Sequence, residues 1–132
     1  MLDPLKYALL GSLSSACLLF AIASGPAQAA PDLSPANRSH CTALGFELGD
    51  RVVAKQKMLE DFKAQAGATP TAEQAATIAQ VAEYIDNLDT MSGGLVAIYF
   101  DGANFPTAED TAAAKALDIG TLLDQANICI MA

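Results

Sequence analysis

The chain has 132 residues and a formal net charge of −8 at pH 7, with seven lysine and arginine residues against fifteen aspartate and glutamate residues. Such a charge repels phosphate backbones and disfavours anionic membrane surfaces, so the composition excludes the usual nucleic-acid-binding classes. The length allows one domain with its own hydrophobic core.

Residues 1–29 have the pattern of an export signal. A short head contains Lys6, an apolar stretch is densest over residues 16–23, and a small-residue A-x-A site ends at Ala29. This order predicts a secretory signal peptide cleaved after Ala29, and hence a periplasmic or secreted protein with no stable membrane insertion afterwards. A retained anchor is the alternative, but a spanning helix needs about 20 mostly apolar residues, and Gly11 and three serines interrupt this stretch.

Removal of the signal leaves two cysteines, Cys41 and Cys129. An even cysteine count in an exported chain predicts a disulfide, which the loop-entropy argument values at about 4–5 kcal/mol for this span. A redox-active Cys-x-x-Cys pair is absent, and His40 is the only histidine, so a zinc site lacks ligands. The two cysteines are therefore predicted to join the ends of the mature fold.

The mature part is predicted to comprise an extended lead-in, residues 30–40, followed by a single helical domain, residues 41–132. From Cys41 onward apolar residues recur at steps of three, four and seven, which indicates one face of a helix. Gly67 is predicted to end that helix as its C-cap. Gly45 and Gly49 lie four residues apart, which predicts the close approach of another helix. This contact would serve internal packing, which is favoured, or an oligomer.

The second helix is predicted to begin at Thr71, whose hydroxyl can cap the backbone while Gln74 reaches back to it. The sequence DTMSGG, residues 89–94, predicts a break. The apolar run Leu95–Phe100 fits either a buried strand or a short helix, and periodicity does not decide between them. A helix is favoured, because a lone strand cannot satisfy its backbone hydrogen bonds.

A second capping sequence, at Thr107 with Asp110 three residues later, predicts the start of the last helix, with Gly120 as its weak point. Three helices running up, down and up would place the two cysteines too far apart for a disulfide. An even number of passes brings them together and requires a turn at residues 92–94. The predicted fold is thus an all-α, small antiparallel bundle of about four helices, the third short, with its ends joined by one disulfide.

The acidic residues are unevenly distributed. Residues 30–63 contain five charges of each sign, whereas residues 64–132 contain nine acidic residues and only Lys115 as a cation. This acidic half predicts a partner that is another protein, held through the surface of residues 64–132. Solubility is the alternative explanation for the same charge.

Candidate sites are sparse. His40 and Met131 would meet near the disulfide and are weak candidates for holding haem, but there is no Cys-x-x-Cys-His attachment motif, so no cofactor is predicted. A serine or cysteine nucleophile would have to use His40, which has no evident partner, so no catalytic residues and no enzyme activity are predicted. The acidic stretches at residues 86–94 and 100–105 do not match a calcium loop, so no metal site is predicted.

These observations predict an exported, non-enzymatic protein-binding module. The alternative is a carrier of a small ligand or cofactor such as haem, with a pocket between helices.

Overall fold

The computed structural model describes residues 30–131, and the predicted signal peptide, residues 1–29, lies outside them. The described part is all-α, which confirms the predicted bundle of four helices with a short third. The helices are α1 (Pro35–Ala66), α2 (Ala72–Tyr99), α3 (Ala108–Lys115) and α4 (Ile119–Met131). None of the described helices combines the length and apolar character needed to cross a membrane.

Helix α1 begins earlier than the sequence suggested. Pro35 occupies the first helical position, where its fixed φ and missing N–H fit a helix start. The predicted extended lead-in, residues 30–40, is therefore non-helical only to Ser34. The helix ends where predicted, at Gly67, whose φ of 81° favours glycine and whose N–H donates to the carbonyl of Lys63.

Helix α2 begins with the predicted capping box. The Gln74 N–H donates to the Thr71 hydroxyl at 3.0 Å, and the Gln74 side chain accepts from the Thr71 N–H at 2.9 Å. Both bonds satisfy backbone donors that a helix start leaves free.

The predicted break at residues 89–94 is wrong, because α2 continues through it to Tyr99. Each glycine in a helix interior costs about 1 kcal/mol of stability relative to alanine. The residues around Gly93 and Gly94, however, are held in place by burial. Leu88, Leu95 and Tyr99 are almost wholly buried, at steps that keep them on one helix face. The helical prediction for Leu95–Phe100 is confirmed through Tyr99, and this segment is the end of α2.

The predicted last helix is divided into α3 and α4. Thr107 caps α3 as predicted, its hydroxyl accepting from the Asp110 N–H at 3.0 Å. The division lies at residues 116–118, ahead of the predicted weak point at Gly120. Asp118 produces it, because its carboxylate accepts from the Thr121 N–H at 2.8 Å and caps a new helix. The short third helix is thus α3, and residues 95–100 do not form it.

The four helices make an even number of passes, as the disulfide argument required. Helix α3 runs beside the first half of α1, and α4 returns so that Cys129 meets Cys41 with their Cα atoms 6.0 Å apart. The predicted disulfide is confirmed. The predicted turn at residues 92–94 is replaced by the loop at residues 100–107.

Helices α1 and α2 approach each other closely at Gly45. A Cβ at this position would lie 3.0 Å from the Leu95 Cβ, and the Ser92 hydroxyl donates to the Gly45 carbonyl at 2.8 Å. At Gly49 a Cβ would lie 3.2 Å from the Ser92 hydroxyl oxygen. The two glycines therefore serve internal packing, as their spacing predicted.

The core is concentrated near the disulfide. Between residues 53 and 84 only Leu59 is buried, so the far half of the α1–α2 pair is a two-helix arm without cover from α3 or α4. The buried hydrophobic residues are Cys41, Ala43, Leu44, Leu48, Val52, Leu59, Ile85, Leu88, Leu95, Tyr99, Ala114, Leu122, Ala126 and Cys129.

Candidate protein-binding surface

His40 and Met131 lie at the same end of the bundle, next to the two linked cysteines. His40 is half-buried, but the Met131 side chain is 80% exposed. The open cavity that Met131 lines is completed by Asp124, Asn127 and Ile128 of its own helix, and it does not include His40. A cofactor site shared by His40 and Met131 therefore remains a prediction, and this cavity does not support it.

Asp101, in the acidic stretch before α3, uses its carboxylate to hold its own loop. One oxygen accepts from the N–H groups of Ala103 and Asn104 at 3.0 and 2.8 Å, and the other accepts from the Asn104 side chain at 2.6 Å. Hydrogen bonds from Asn104 and Ala103 lower the pKa of Asp101 to about 2, with a small contribution from Arg38. Among residues 30–131, no three His, Cys, Asp or Glu side chains are grouped to hold a metal ion.

The acidic residues after position 63 form a largely uncompensated surface. Eight of the nine are exposed, and Asp110 is half-buried. Of these nine carboxylates only Asp101 forms an ion pair within the described residues, with Arg38 at 3.9 Å. We call the carboxylates of residues 64–131 the acidic surface: Glu73, Glu83, Asp86, Asp89, Asp101, Glu109, Asp110, Asp118 and Asp124.

Lys115, the one cation of that half, pairs with a carboxylate of α1. Its ammonium lies 3.6 Å from the carboxylate of Glu47, which is 7% exposed and also bound by Arg51 at 2.7 Å. Arg51 in turn donates to the carbonyl of Leu117 at 2.7 Å, which joins the α3–α4 turn to α1. Lys115 therefore shares a buried carboxylate of α1 with Arg51, and within the described residues it forms no ion pair with the acidic surface.

One groove of about 430 Å³ lies along the acidic surface, between the exposed halves of α1 and α2. Leu59 and Ile85, 8% and 5% exposed, form its floor. All charged residues that line it are carboxylates. Its lining is Gln56, Leu59, Glu60, Ala82, Ile85, Asp86 and Asp89. We call this feature the acidic groove.

Two parallel stripes of side chains border the acidic groove. On α1 the stripe is Gln56 and Glu60, and on α2 it is Ala82, Asp86 and Asp89, at steps of three or four that share one helix face. Sequence reasoning did not identify these residues as a site. The available signal was the pair of carboxylates at Asp86 and Asp89 beside buried Ile85, but the groove itself depends on how α1 and α2 pack.

A second feature that sequence reasoning missed is an aromatic cluster at the end of α2. The rings of Phe46, Phe100 and Phe105 lie with centroids 5.1–6.5 Å apart. Phe105, which lies in the loop that follows α2, remains 69% exposed. The cluster anchors that loop against α1 by aromatic contacts.

Comparisons of this chain with protein-family models, with curated proteins and with solved structures find no match. The surface chemistry of the described residues is therefore the basis for the function proposed below.

Proposed function

We propose that the protein is an exported, non-enzymatic binding module that holds another protein through its acidic surface. The observation that carries this proposal is the position of Lys115. The only cation after residue 63 is bound to Glu47 of α1 at 3.6 Å, which leaves seven of the eight exposed carboxylates without an ion pair within the described residues.

An excess of like charges repels itself and destabilises the folded state, so a surface of this kind has an energetic cost when it stands alone. A cationic partner removes that cost and gains electrostatic attraction during encounter. The proposed partner is therefore a protein with a basic surface.

Export to the periplasm or the extracellular space is the second part of the proposal. The buried Cys41–Cys129 disulfide supports it, because structural disulfides form and persist in oxidising compartments. The test is the intact mass of protein recovered from the periplasm or medium. A chain that begins at Ala30 and has lost two hydrogens is expected; a chain that retains residues 1–29 would contradict the proposed cleavage.

Binding is tested by affinity capture with immobilised protein from periplasmic and secreted fractions. We expect a basic protein to be retained at low salt and released at about 1 M salt, where the Debye length falls to about 3 Å. The control is a variant with Glu73→Gln, Glu83→Gln, Asp89→Asn and Asp124→Asn, which removes four exposed charges. Equal capture by this variant, or release that does not depend on salt, would overturn the proposal.

A further inference from the structure

We propose that the acidic groove receives a basic amphipathic helix of the partner, an inference that rests on the proposed function and assigns its contact site. The groove offers an apolar floor of Leu59 and Ile85 between walls that contain Glu60, Asp86 and Asp89. A helix with one apolar stripe and flanking lysine or arginine residues matches both parts of this surface.

The groove is uncovered because the other helices pack on a different face of α1. Glu47 and Arg51 hold the α3–α4 turn. Gly49 and Val53 lie two residues after them, which is about 200° around the helix. Val53, three residues before Gln56 of the groove lining, is 65% exposed, so α3 and α4 leave this side of α1 open.

The dimensions suit about two turns of helix. The groove extends over Ala82–Asp89 on α2, which corresponds to about 10 Å at 1.5 Å per residue. The α2 wall continues at the same spacing to Gly93, where a Cβ would meet no atom within 4 Å. A partner helix can therefore lie between the two walls and approach the α2 backbone closely at Gly93.

The negative charge of the groove walls indicates which kind of partner segment binds there. Asp86 and Asp89 form no ion pair within the described residues, and Glu60 has only the exposed Lys63 at 3.5 Å. A second copy of the chain docked over the same groove by two-fold symmetry would bring two such acidic walls together, which like-charge repulsion disfavours. A basic helix instead pairs its cations with Asp86 and Asp89 while its apolar stripe covers Leu59 and Ile85.

The test uses a fluorescent, helix-forming model peptide with leucine at positions i, i+3, i+4 and i+7 and lysine on both flanks. Binding to the purified protein is followed by fluorescence anisotropy at low ionic strength. We expect Asp86→Asn with Asp89→Asn to weaken binding about tenfold, the change in affinity that two lost charge contacts produce together. The matched control, Glu83→Gln with Asp124→Asn, removes the same charge from the acidic surface outside the groove and should weaken binding less than the groove variant does, because neither carboxylate lines the groove.

The possible results test the groove and the proposed function separately. Equal weakening by the two double variants would overturn the groove and leave the proposed function, since a diffuse acidic surface would then bind the peptide. No binding by the wild-type protein, or equal binding of a peptide with glutamate in place of lysine, would overturn the basic-helix occupant. Sedimentation as a dimer that Asp86→Asn with Asp89→Asn strengthens would assign the groove to a second copy of the chain.

Discussion

The Tyr99 hydroxyl donates a 2.7 Å hydrogen bond to the carbonyl oxygen of Cys129, which joins the end of α2 to the disulfide. Tyr99 is fully buried, and burial raises the pKa of its hydroxyl, with a smaller contribution from Asp32, so the proton needed for this bond is retained. The carbonyl belongs to the last turn of α4, where helix acceptors lack an intrahelical partner. The disulfide and this hydrogen bond therefore connect three helices, α1, α2 and α4.

Tyr99→Phe is predicted to destabilise the protein by about 1–2 kcal/mol, because it removes a buried hydrogen bond and leaves the Cys129 carbonyl without its donor. Urea denaturation measures the change in the free energy of unfolding. Tyr84→Phe is the matched control, since Tyr84 is 38% exposed and contacts Lys55 through its ring. A similar change in both variants would contradict a special role for the Tyr99 hydroxyl.

Two glycines on facing helices are predicted to respond to alanine in opposite ways. Gly45→Ala should lose about 1–2 kcal/mol, because the added Cβ meets Leu95 at 3.0 Å and overpacking exceeds the gain in helix propensity. Gly93→Ala should gain up to about 1 kcal/mol, because the site is open and helical. Thermal melts of the two variants measure both signs, and destabilisation by Gly93→Ala would indicate a break in α2.

These glycines also show why part of the fold could not be predicted from sequence. The caps at Thr71 and Thr107 and the disulfide were predictable, because each depends on local hydrogen bonds or on cysteine count alone. The continuity of α2 was not, because local propensity favours a break at residues 92–94, whereas burial of Leu88, Leu95 and Tyr99 against other helices opposes it. The acidic groove depends on the same tertiary packing, and its charged wall residues, Glu60, Asp86 and Asp89, occupy ordinary exposed positions in the sequence.

The disulfide is predicted to supply a large share of the stability. Replacing both cysteines, Cys41→Ala with Cys129→Ala, should cost about 4–5 kcal/mol, since the cross-link closes a loop of 88 residues in sequence separation. Guanidinium denaturation with and without reductant measures it. Reductant should lower the stability of the wild-type protein and leave the double variant unchanged; an unchanged wild type would argue against the cross-link.

Arg51→Met is predicted to destabilise the protein by about 2–3 kcal/mol. The substitution leaves the buried carboxylate of Glu47 with only Lys115 and removes the donor to the Leu117 carbonyl. Lys57→Met is the matched control, because Lys57 is 79% exposed and its pair with Asp61 should contribute less than about 1 kcal/mol. Equal effects of the two substitutions would show that Glu47 does not depend on Arg51.

The low pKa of Asp101 predicts how the stability of the protein changes in acid. Its pKa is lowered from the ordinary 3.8 to about 2 by hydrogen bonds within the loop, so its carboxylate stabilises the folded state above about pH 4. That stabilisation is lost as the pH falls from about 4 to about 2, because the unfolded chain then binds a proton that the folded chain does not.

Asp101→Asn keeps an oxygen acceptor for the loop but cannot ionise, so its melting temperature should fall less steeply than that of the wild type over this range. Thermal melts at half-unit pH intervals measure the difference between the two curves. Asp50→Asn, at an exposed position of α1, is the control and should follow the wild-type curve. If the melting temperatures of the wild type and Asp101→Asn fall in parallel, the folded and unfolded chains bind protons equally at Asp101. The hydrogen bonds within the loop would then contribute nothing to acid sensitivity.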